Sequence, residues 1–419
     1  MMERTIRRMS WLCTIAVITC LLSACTDEVT SEQGADSLVL KFEVAGNGIS
    51  RASESTVSSD TEPGWDNGWN ENTVSNLYLL VFDKTTDNLV KGMELKQDEK
   101  KDGSWNISDK GIAASHVDNY RFYLIANYGE TDFSKISKLE DLKALSVAGF
   151  SAYGSKQATF LMDGNYATSD GNDKTNGYTS KSSDNKTTTL TIKLRRALAK
   201  VSVRLLAKMS GETTSQQLTG EIPENMKEAI SSVSLKFINY VSNSSLITGG
   251  TPDITGSSLT YANTSETDAT PHNISSYTNV YKPEASDSKG TRFVFYSYAN
   301  DWFDEEKANS WNTQEPVNTA RRTYVLLTVT GSNGTDYKYQ IPVNYPLPTY
   351  NDKKYSSLTE AQKEEVRGYY ELKRNHVYNV TATIEVKKSE PEKQEDKITY
   401  TILIKDWVNG KYATLTPEE

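Results

Sequence analysis

Cysteine and histidine are scarce in this chain of 419 residues, which contains three of each. The histidines are separated by more than 100 residues, and none has a cysteine or a paired carboxylate at ligand spacing. This arrangement offers no zinc motif and no local set of catalytic groups. The sequence therefore predicts no metal, no cofactor and no enzymatic activity.

Long apolar runs are lacking after residue 24, and the one apolar segment, Trp11–Leu22, is too short for a permanent membrane helix. Three arginines precede this segment, and Leu22-Ser23-Ala24-Cys25 follows it. A cationic start, a short apolar stretch and small residues before a cysteine are typical of a lipoprotein signal. We expect residues 1–24 to be removed and Cys25 to carry the lipid.

Positive charge is also in deficit, since the net charge is -9. Loss of the signal removes three arginines and one glutamate, which makes the chain more acidic still. Such a chain repels phosphate backbones, so nucleic acid is not an expected partner. Because Cys13 and Cys20 leave with the signal, no disulfide can form within the mature chain, and its hydrophobic cores alone must stabilise it.

The first regular element predicted is a strand over Leu38–Val44. Leu38, Leu40, Phe42 and Val44 alternate with other residues, which is the pattern of a half-buried strand. A stretch rich in serine, threonine and glutamate follows as far as Pro63 and has no periodicity. We expect this stretch to be exposed, so that a protease can reach the bond between Arg51 and Ala52.

Many further segments have strand patterns, and only two predict helices: Ser137–Ser146, with Ser137 and Glu140 as its cap, and Thr359–Tyr370, with Thr359 and Gln362. The polar stretches Asn165–Lys186 and Ser242–Lys289 are predicted to be long surface loops. Together these patterns predict a mainly β protein built from β-sandwiches with a few short helices. We expect two domains in the mature chain, with the boundary near residue 196.

Several motifs, in order, resemble those of the fimbrillins of Bacteroidales, the type V pilins of the FimA and Mfa-like group. They span most of the chain and include the signal with Cys25, the strand before Ser50-Arg51-Ala52, and the motifs Asn76–Asp83, Phe122–Asn127, Phe160–Gly164, Leu194–Val201 and Tyr370–Val380. The resemblance implies two transthyretin-like β-sandwich domains. The segments that it implies are a signal peptide (1–24), a lipidated propeptide with a removable strand (25–51), an N-terminal domain (52–196) and a C-terminal domain with a donor-strand region (197–419). It also implies an outer-membrane lipoprotein precursor that a trypsin-like, Arg-specific protease cuts, here after Arg51, before the subunit joins other fimbrial subunits at the cell surface.

Such a cut would remove the strand Leu38–Val44 and leave a groove. If all four apolar side chains are fully buried, their removal loses a free energy of burial on the order of 6 to 12 kcal/mol. A strand from another subunit can fill the groove by β-augmentation. The predicted donor strand has Ile398, Tyr400, Ile402 and Ile404 on one face. The sequence leaves open whether this segment is instead an internal strand, in which case the donor is Tyr412–Leu415.

Two other interpretations keep the lipid in place. A fimbrial anchor subunit would retain Cys25 and its first strand, whereas stalk and tip subunits lose both. A carbohydrate-binding adhesin on the cell surface would use aromatic side chains in loops, and its candidates are Trp65, Trp69, Trp302 and Trp311. Proteins rich in β structure also use Trp and Tyr within their sheets, and the sequence favours this packing role for these residues. Adhesion to a host or bacterial surface ligand is compatible with each of these interpretations.

Overall fold

The computed structural model describes residues 36–44, 71, 74–148, 159–167, 176–250, 259–267, 269–278, 280–281, 290–308, 316–344, 355–387, 398–406 and 412–415. Cys25 and the bond between Arg51 and Ala52 lie outside these residues, as do Trp65, Trp69 and Trp311. The lipidation and cleavage sites therefore stay predictions.

Strands dominate the described residues, and they fall into an N-terminal and a C-terminal group. The first group is β1 Ser37–Val44, β2 Leu77–Asp83, β3 Leu89–Glu94, β4 Trp105–Asn106, β5 Tyr120–Ala126, β6 Ser146–Val147, β7 Met162–Ala167, β8 Gly177–Lys181 and β9 Thr187–Arg196. The second group begins with β10 Leu198–Met209, β11 Gln216–Gln217, β12 Ile230–Ile238, β13 Tyr240–Val241, β14 Ser244–Ser245, β15 Tyr261–Ala262, β16 His272–Asn273 and β17 Val280–Tyr281. It continues with β18 Arg292–Tyr298, β19 Asn300–Asp301, β20 Tyr324–Gly331, β21 Asp336–Pro342, β22 Glu371–Leu372, β23 His376–Val386, β24 Ile398–Asp406 and β25 Tyr412–Leu415.

The helices are few and short. The α-helices are α1 Leu139–Lys143, α2 Glu305–Ala308 and α3 Glu360–Arg367, and several single turns of 3₁₀ helix accompany them. This content confirms the prediction of a mainly β protein with a few short helices.

The N-terminal half is one continuous sheet in the order β3-β2-β5-β7-β9-β1-β4, with β8 also paired to β9. Side chains from β1, β2, β5 and β9 share one buried cluster, so the sheet curls until its two ends enclose a common core. Within this sheet β1 is parallel to β9, the last strand of the half.

The C-terminal half is a sandwich of two sheets. One has the order β15-β13-β18-β10-β23-β24-β25, and the other has the order β16-β12-β20-β21. Buried side chains of β10, β18 and β23 pack with those of β12, β20 and β21 in one large cluster. Here too the first strand, β10, is parallel to a late strand, β23.

Most of the longer strands lie where the alternating patterns predict them, but the polar stretches differ from expectation. The predicted loop Asn165–Lys186 contains β8, and the predicted loop Ser242–Lys289 contains the short strands β14 to β17. Short polar strands such as β8 lack an apolar face of their own because a neighbouring strand, here β9, fixes their position.

The cap predicted for α3 is confirmed, but the cap predicted for α1 is wrong. Thr359 and Gln362 form a reciprocal capping box at α3. At α1, Asp141 rather than Glu140 accepts hydrogen bonds from the backbone N–H and hydroxyl of Ser137, at 2.9 and 2.8 Å. The helix begins at Leu139, two residues later than predicted. The residue three positions after its N-cap, Lys138, is therefore Asp141, and this carboxylate is the acceptor.

An apolar layer joins the two halves. Leu80, Phe82 and Ile125 from the first half pack in one cluster with Val294 and Tyr296 from the second. The short strands β6 and β14 also pair across this boundary. The two halves therefore share a buried surface.

Buried charges cross the same boundary. The Nζ atom of Lys200 lies 2.6 Å from Oε1 of Glu71, and the hydroxyl of Tyr296 donates to the same carboxylate oxygen at 2.6 Å. Arg374 and Asp163 form a second buried ion pair at 2.6 Å. Burial lowers the pKa of Arg196, which donates to the carbonyl of Glu71, only to about 10, so its guanidinium stays charged at neutral pH.

Replacing Glu71 by glutamine should lower the free energy of unfolding by about 3 kcal/mol or more, because it leaves the Lys200 ammonium buried without its counter-charge. The matched control is Glu99→Gln, which breaks the exposed pair with Lys110 and should cost under about 1 kcal/mol. Urea denaturation of both variants measures the difference. Equal effects would show that the buried pair does not stabilise the contact between the halves.

Candidate functional site

The first strand, β1, lies between β9 and β4. All eight of its residues, from Ser37 to Val44, pair in parallel with Thr187 to Leu194 of β9. On its other side Val39 and Leu40 pair with Asn106 and Trp105 of β4. In sequence, β1 precedes every other described element.

The side chains of β1 are buried unequally. Leu38 and Leu40 are 0% exposed and belong to the N-terminal core, whereas Phe42 and Val44 are half-buried against its edge. Only two of the four side chains are therefore fully buried, and the free energy of burial expected for four is too high. The two leucines alone account for about 3 to 6 kcal/mol of burial, and the other two side chains add smaller amounts.

An aromatic platform, formed by Trp105 with Lys100 over its ring, contacts the second half of β1. The ring of Phe42 is stacked on that of Trp105, with centroids 5.9 Å apart, and Nζ of Lys100 lies 5.0 Å from the Trp105 centroid. The indole N–H of Trp105 donates to the carbonyl of Lys96 at 2.8 Å. Since Lys96 and Lys100 lie outside β1, they can hold the platform without it.

Polar contacts fix the start of β1. The N–H of Leu38 donates to Oγ of Ser108 at 2.6 Å, and the N–H of Ile107 donates to the carbonyl of Leu38 at 2.9 Å. The N–H of Ser37 donates to the carbonyl of Lys186 at 2.8 Å. Removal of β1 would thus leave backbone groups of both neighbouring strands without these partners.

One side-chain hydrogen bond also holds the end of β1 on the outer face. The hydroxyl of Tyr178 on β8 reaches Oε1 of Glu43 at 3.0 Å. Burial, and then this bond to a carboxylate, raises the pKa of Tyr178, so its hydroxyl remains protonated and able to donate at neutral pH.

The predicted donor segment lies at the other end of the chain. All nine residues of β24 pair antiparallel with β23, from His376↔Asp406 to Ile384↔Ile398. Four residues of β24 pair with β25, which completes that side of the sheet. Within this chain β24 is thus an internal strand, and its role as a donor stays a prediction.

The described residues give little support to the other kinds of site. Trp302 is 2% exposed in the C-terminal core, so it has the packing role favoured by the sequence and is not accessible for the sugar stacking that the carbohydrate-binding interpretation requires. Its position just after β19, paired with β22, carries it inward rather than onto a loop surface. No cluster of three or more potential metal ligands occurs in the ranges that the structure describes.

No helix in the described part of the chain combines the length and apolar character needed to cross a membrane.

The fold and the geometry of β1 define a mainly β protein whose N-terminal core is completed by the first strand of the chain. Residues 38–196 match the family model described as major fimbrial subunit protein (FimA). The match begins within β1 and ends with β9. It confirms the resemblance to fimbrial subunits over this region and agrees with the prediction of a structural protein rather than an enzyme.

Solved structures from three bacterial species are similar over most of the chain. A candidate cell adhesion protein from Bacteroides eggerthii has 13% identity and a TM-score of 0.49, with 89% of this chain and 97% of that chain covered. The tip fimbrial protein Mfa3 from Porphyromonas gingivalis has 12% identity and a TM-score of 0.43, with 88% and 100% covered. A fimbrial assembly protein from Parabacteroides distasonis has 12% identity and a TM-score of 0.38, with 90% and 97% covered.

These identities are too low to transfer a function from the solved proteins. No curated protein sequence matches the chain significantly.

In the uncleaved chain, Leu40→Ala should lower the free energy of unfolding by about 2 to 5 kcal/mol, because it leaves a cavity in the N-terminal core. Lys41→Ala is the matched control, since Lys41 is the exposed neighbour on the same strand and should change stability by under about 0.5 kcal/mol. Chemical denaturation measures both. A Leu40→Ala variant as stable as the control would contradict the placement of β1 in the core.

Proposed function

We propose that the chain is a stalk or tip subunit of a surface fimbria. In this proposal it is exported as a lipoprotein on Cys25 and cut after Arg51 by an Arg-specific protease. It then polymerises with other fimbrial subunits by donor-strand exchange. The match to the fimbrial subunit family over residues 38–196 supports the general role. The observation that carries the proposal is that a core strand, β1, lies wholly on the N-terminal side of Arg51.

The position of Arg51 links cleavage to the core. Arg51 follows the end of β1 at Val44 by seven residues, and the next described residue, Glu71, is held in the buried ion pair with Lys200. A cut after Arg51 breaks the only covalent link between β1 and the rest of the subunit. The cut leaves β1 bound only by non-covalent contacts.

Loss of β1 would make the subunit reactive toward another subunit. The places of Leu38 and Leu40 would open to water, and one edge of β9 would lose eight paired residues. An exposed apolar groove beside an unpaired strand edge favours the addition of a strand from another chain. Because donor and groove lie on different parts of the subunit, the contact is head-to-tail, and its repetition produces an open filament when the rotation between neighbouring subunits does not close a ring.

The lipid has a temporary role in this proposal. Cys25 lies before β1, so a cut after Arg51 releases the subunit from the outer membrane at the moment when the groove opens. An uncut chain would keep both its lipid and its first strand, as a fimbrial anchor does. The N-terminal residue of the protein from cells separates these states, because Ala52 indicates a polymerising subunit and acylated Cys25 indicates an anchor.

Arg51→Ala should abolish both shortening and assembly, because no other bond between β1 and β2 would be cut in the same way. Arg51→Lys is the matched control: trypsin should restore cleavage and assembly, whereas a strictly Arg-specific protease should not. Mass spectrometry measures the cut, and a ladder of oligomers on gels measures assembly. An Arg51→Ala chain that is still shortened at residue 52 and still assembles would contradict the proposal.

A further inference from the structure

We propose that Asn239 and Asn300 protect a surface turn, residues 318–322, from the same Arg-specific protease that cuts after Arg51. The inference rests on the proposed function and adds the reason why the cut is confined to one place. The two buried asparagines hold the carbonyl groups that the protease would otherwise attack, so they determine which arginine is used.

Confinement of the cut needs an explanation because the chain has many other arginines. All those that follow Arg51 lie in the part of the chain that the structure describes: Arg121, Arg195, Arg196, Arg204, Arg292, Arg321, Arg322, Arg367 and Arg374. A protease that recognises only arginine meets the same side chain at each of them. A cut at any of them would break the covalent link between the N-terminal core and the end of the chain.

Strand pairing protects most of these arginines. Arg121 lies in β5, which has a paired strand on each side, β2 and β7. The others in strands are Arg195 and Arg196 of β9, Arg204 of β10 and Arg292 of β18. Cleavage requires the chain around the bond to leave its hydrogen bonds and enter the protease, which here means taking a strand out of its sheet.

Two arginines near the end of the chain are held in other ways. The carbonyl of Arg367, the last residue of α3, accepts a hydrogen bond from the N–H of Tyr370 at 2.8 Å. The guanidinium of Arg374 is held in the buried ion pair with Asp163. That guanidinium cannot enter the binding pocket of a protease without breaking the ion pair.

The 318–322 turn differs because it lies outside the strands and reaches the surface. Thr319 and Ala320 are exposed, and Arg321 and Arg322 are half-buried. Surface turns with small and polar residues are preferred places for proteolytic cuts. By position and exposure alone, the bonds after Arg321 and Arg322 would be favourable sites.

Buried asparagine amides hold the carbonyls of both arginines in this turn. Nδ2 of Asn300 donates to the carbonyl of Arg321 at 2.7 Å, and Nδ2 of Asn239 donates to the carbonyl of Arg322 at 3.0 Å. Asn300 is 0% exposed and Asn239 is 4% exposed. A trypsin-like protease attacks the carbonyl of the arginine itself and binds its oxygen with its own N–H groups. The asparagines therefore occupy the atoms that the protease needs.

Further buried hydrogen bonds fix the two asparagines. Nδ2 of Asn300 also donates to Oγ1 of Thr323 at 2.8 Å, and that hydroxyl donates to the carbonyl of Asn239 at 2.8 Å. Oδ1 of Asn300 accepts from the hydroxyl of Tyr261 at 3.0 Å. Opening the turn would leave buried donors of this network without acceptors, which is unfavourable. The turn is thus held closed from beneath.

Limited proteolysis of the full precursor tests the proposal. Asn239 has a φ of 53°, so Asn239→Gly removes its amide without straining the backbone. Asn300→Ala removes the other amide. The matched control is Asn127→Gly, because Asn127 has a φ of 57° and donates to the carbonyl of Phe160 at 2.7 Å, which is not an arginine carbonyl.

A strictly Arg-specific protease is added to each chain, and gels with mass spectrometry measure the rate of each cut. Wild type and Asn127→Gly should be cut after Arg51 with little cleavage in the turn. Both test variants should be cut after Arg321 or Arg322 at least about tenfold faster than wild type, because the open turn is more populated. Adding Arg321→Lys and Arg322→Lys to Asn239→Gly should remove the new cut.

Three results would overturn the inference while leaving the proposed function intact. Wild type might be expected to resist, so cleavage in its turn as fast as after Arg51 would exclude protection. Test variants as resistant as wild type would exclude the asparagines as its cause. Cuts at many arginines in both variants, which the two lysines do not prevent, would show general destabilisation instead. Failure of the protease to cut wild type after Arg51 would overturn the proposed function itself.

Discussion

The parallel contact between β1 and β9 is the interaction on which the N-terminal half depends. It contributes two fully buried leucines to the core and pairs eight residues of a strand that is otherwise an edge. A strand in the middle of the chain would be retained by the residues on both sides. Because every other described element follows β1 in sequence, one cut after β1 would separate it from them, so the same contact can serve both as a stabilising element and as a removable one.

The two halves use a similar arrangement with different consequences. In each half the first strand is parallel to a late strand: β1 to β9, and β10 to β23. The strand β10 follows β9 after a single residue, Ala197, so no comparable cut can release it without breaking the chain between the halves. Only the N-terminal half therefore has a first strand that can leave while the rest of the subunit remains covalently intact.

The contact between the halves gives the subunit a continuous interior. The Glu71–Lys200 and Arg374–Asp163 ion pairs are buried beside an apolar layer to which both halves contribute. Glu71 follows the proposed cleavage site in sequence, so this ion pair also fixes where the new N-terminal segment meets the folded protein. A subunit opened at the groove would then keep its C-terminal half, including β24, attached through an interface that the cut does not touch.

The sequence predicts elements that bury one face, because alternation then has a clear physical cause. The strand Leu38–Val44 and the capping box at Thr359 are examples. It does not predict β8, whose position depends on pairing with β9. The sequence does not predict the Trp105–Lys100 platform either, because these side chains come together beside β1 only when β4 pairs with it.

Binding of a synthetic peptide is the most direct measurement of the central claim that β1 occupies a groove that cleavage empties. A peptide with the sequence of residues 36–44 should bind the cleaved subunit, after its own β1 has been removed, with one peptide per subunit, and should block assembly. The uncut chain should not bind it, because its groove is full. A cleaved subunit that assembles normally in excess peptide, or an uncut chain that binds the peptide equally well, would contradict the account.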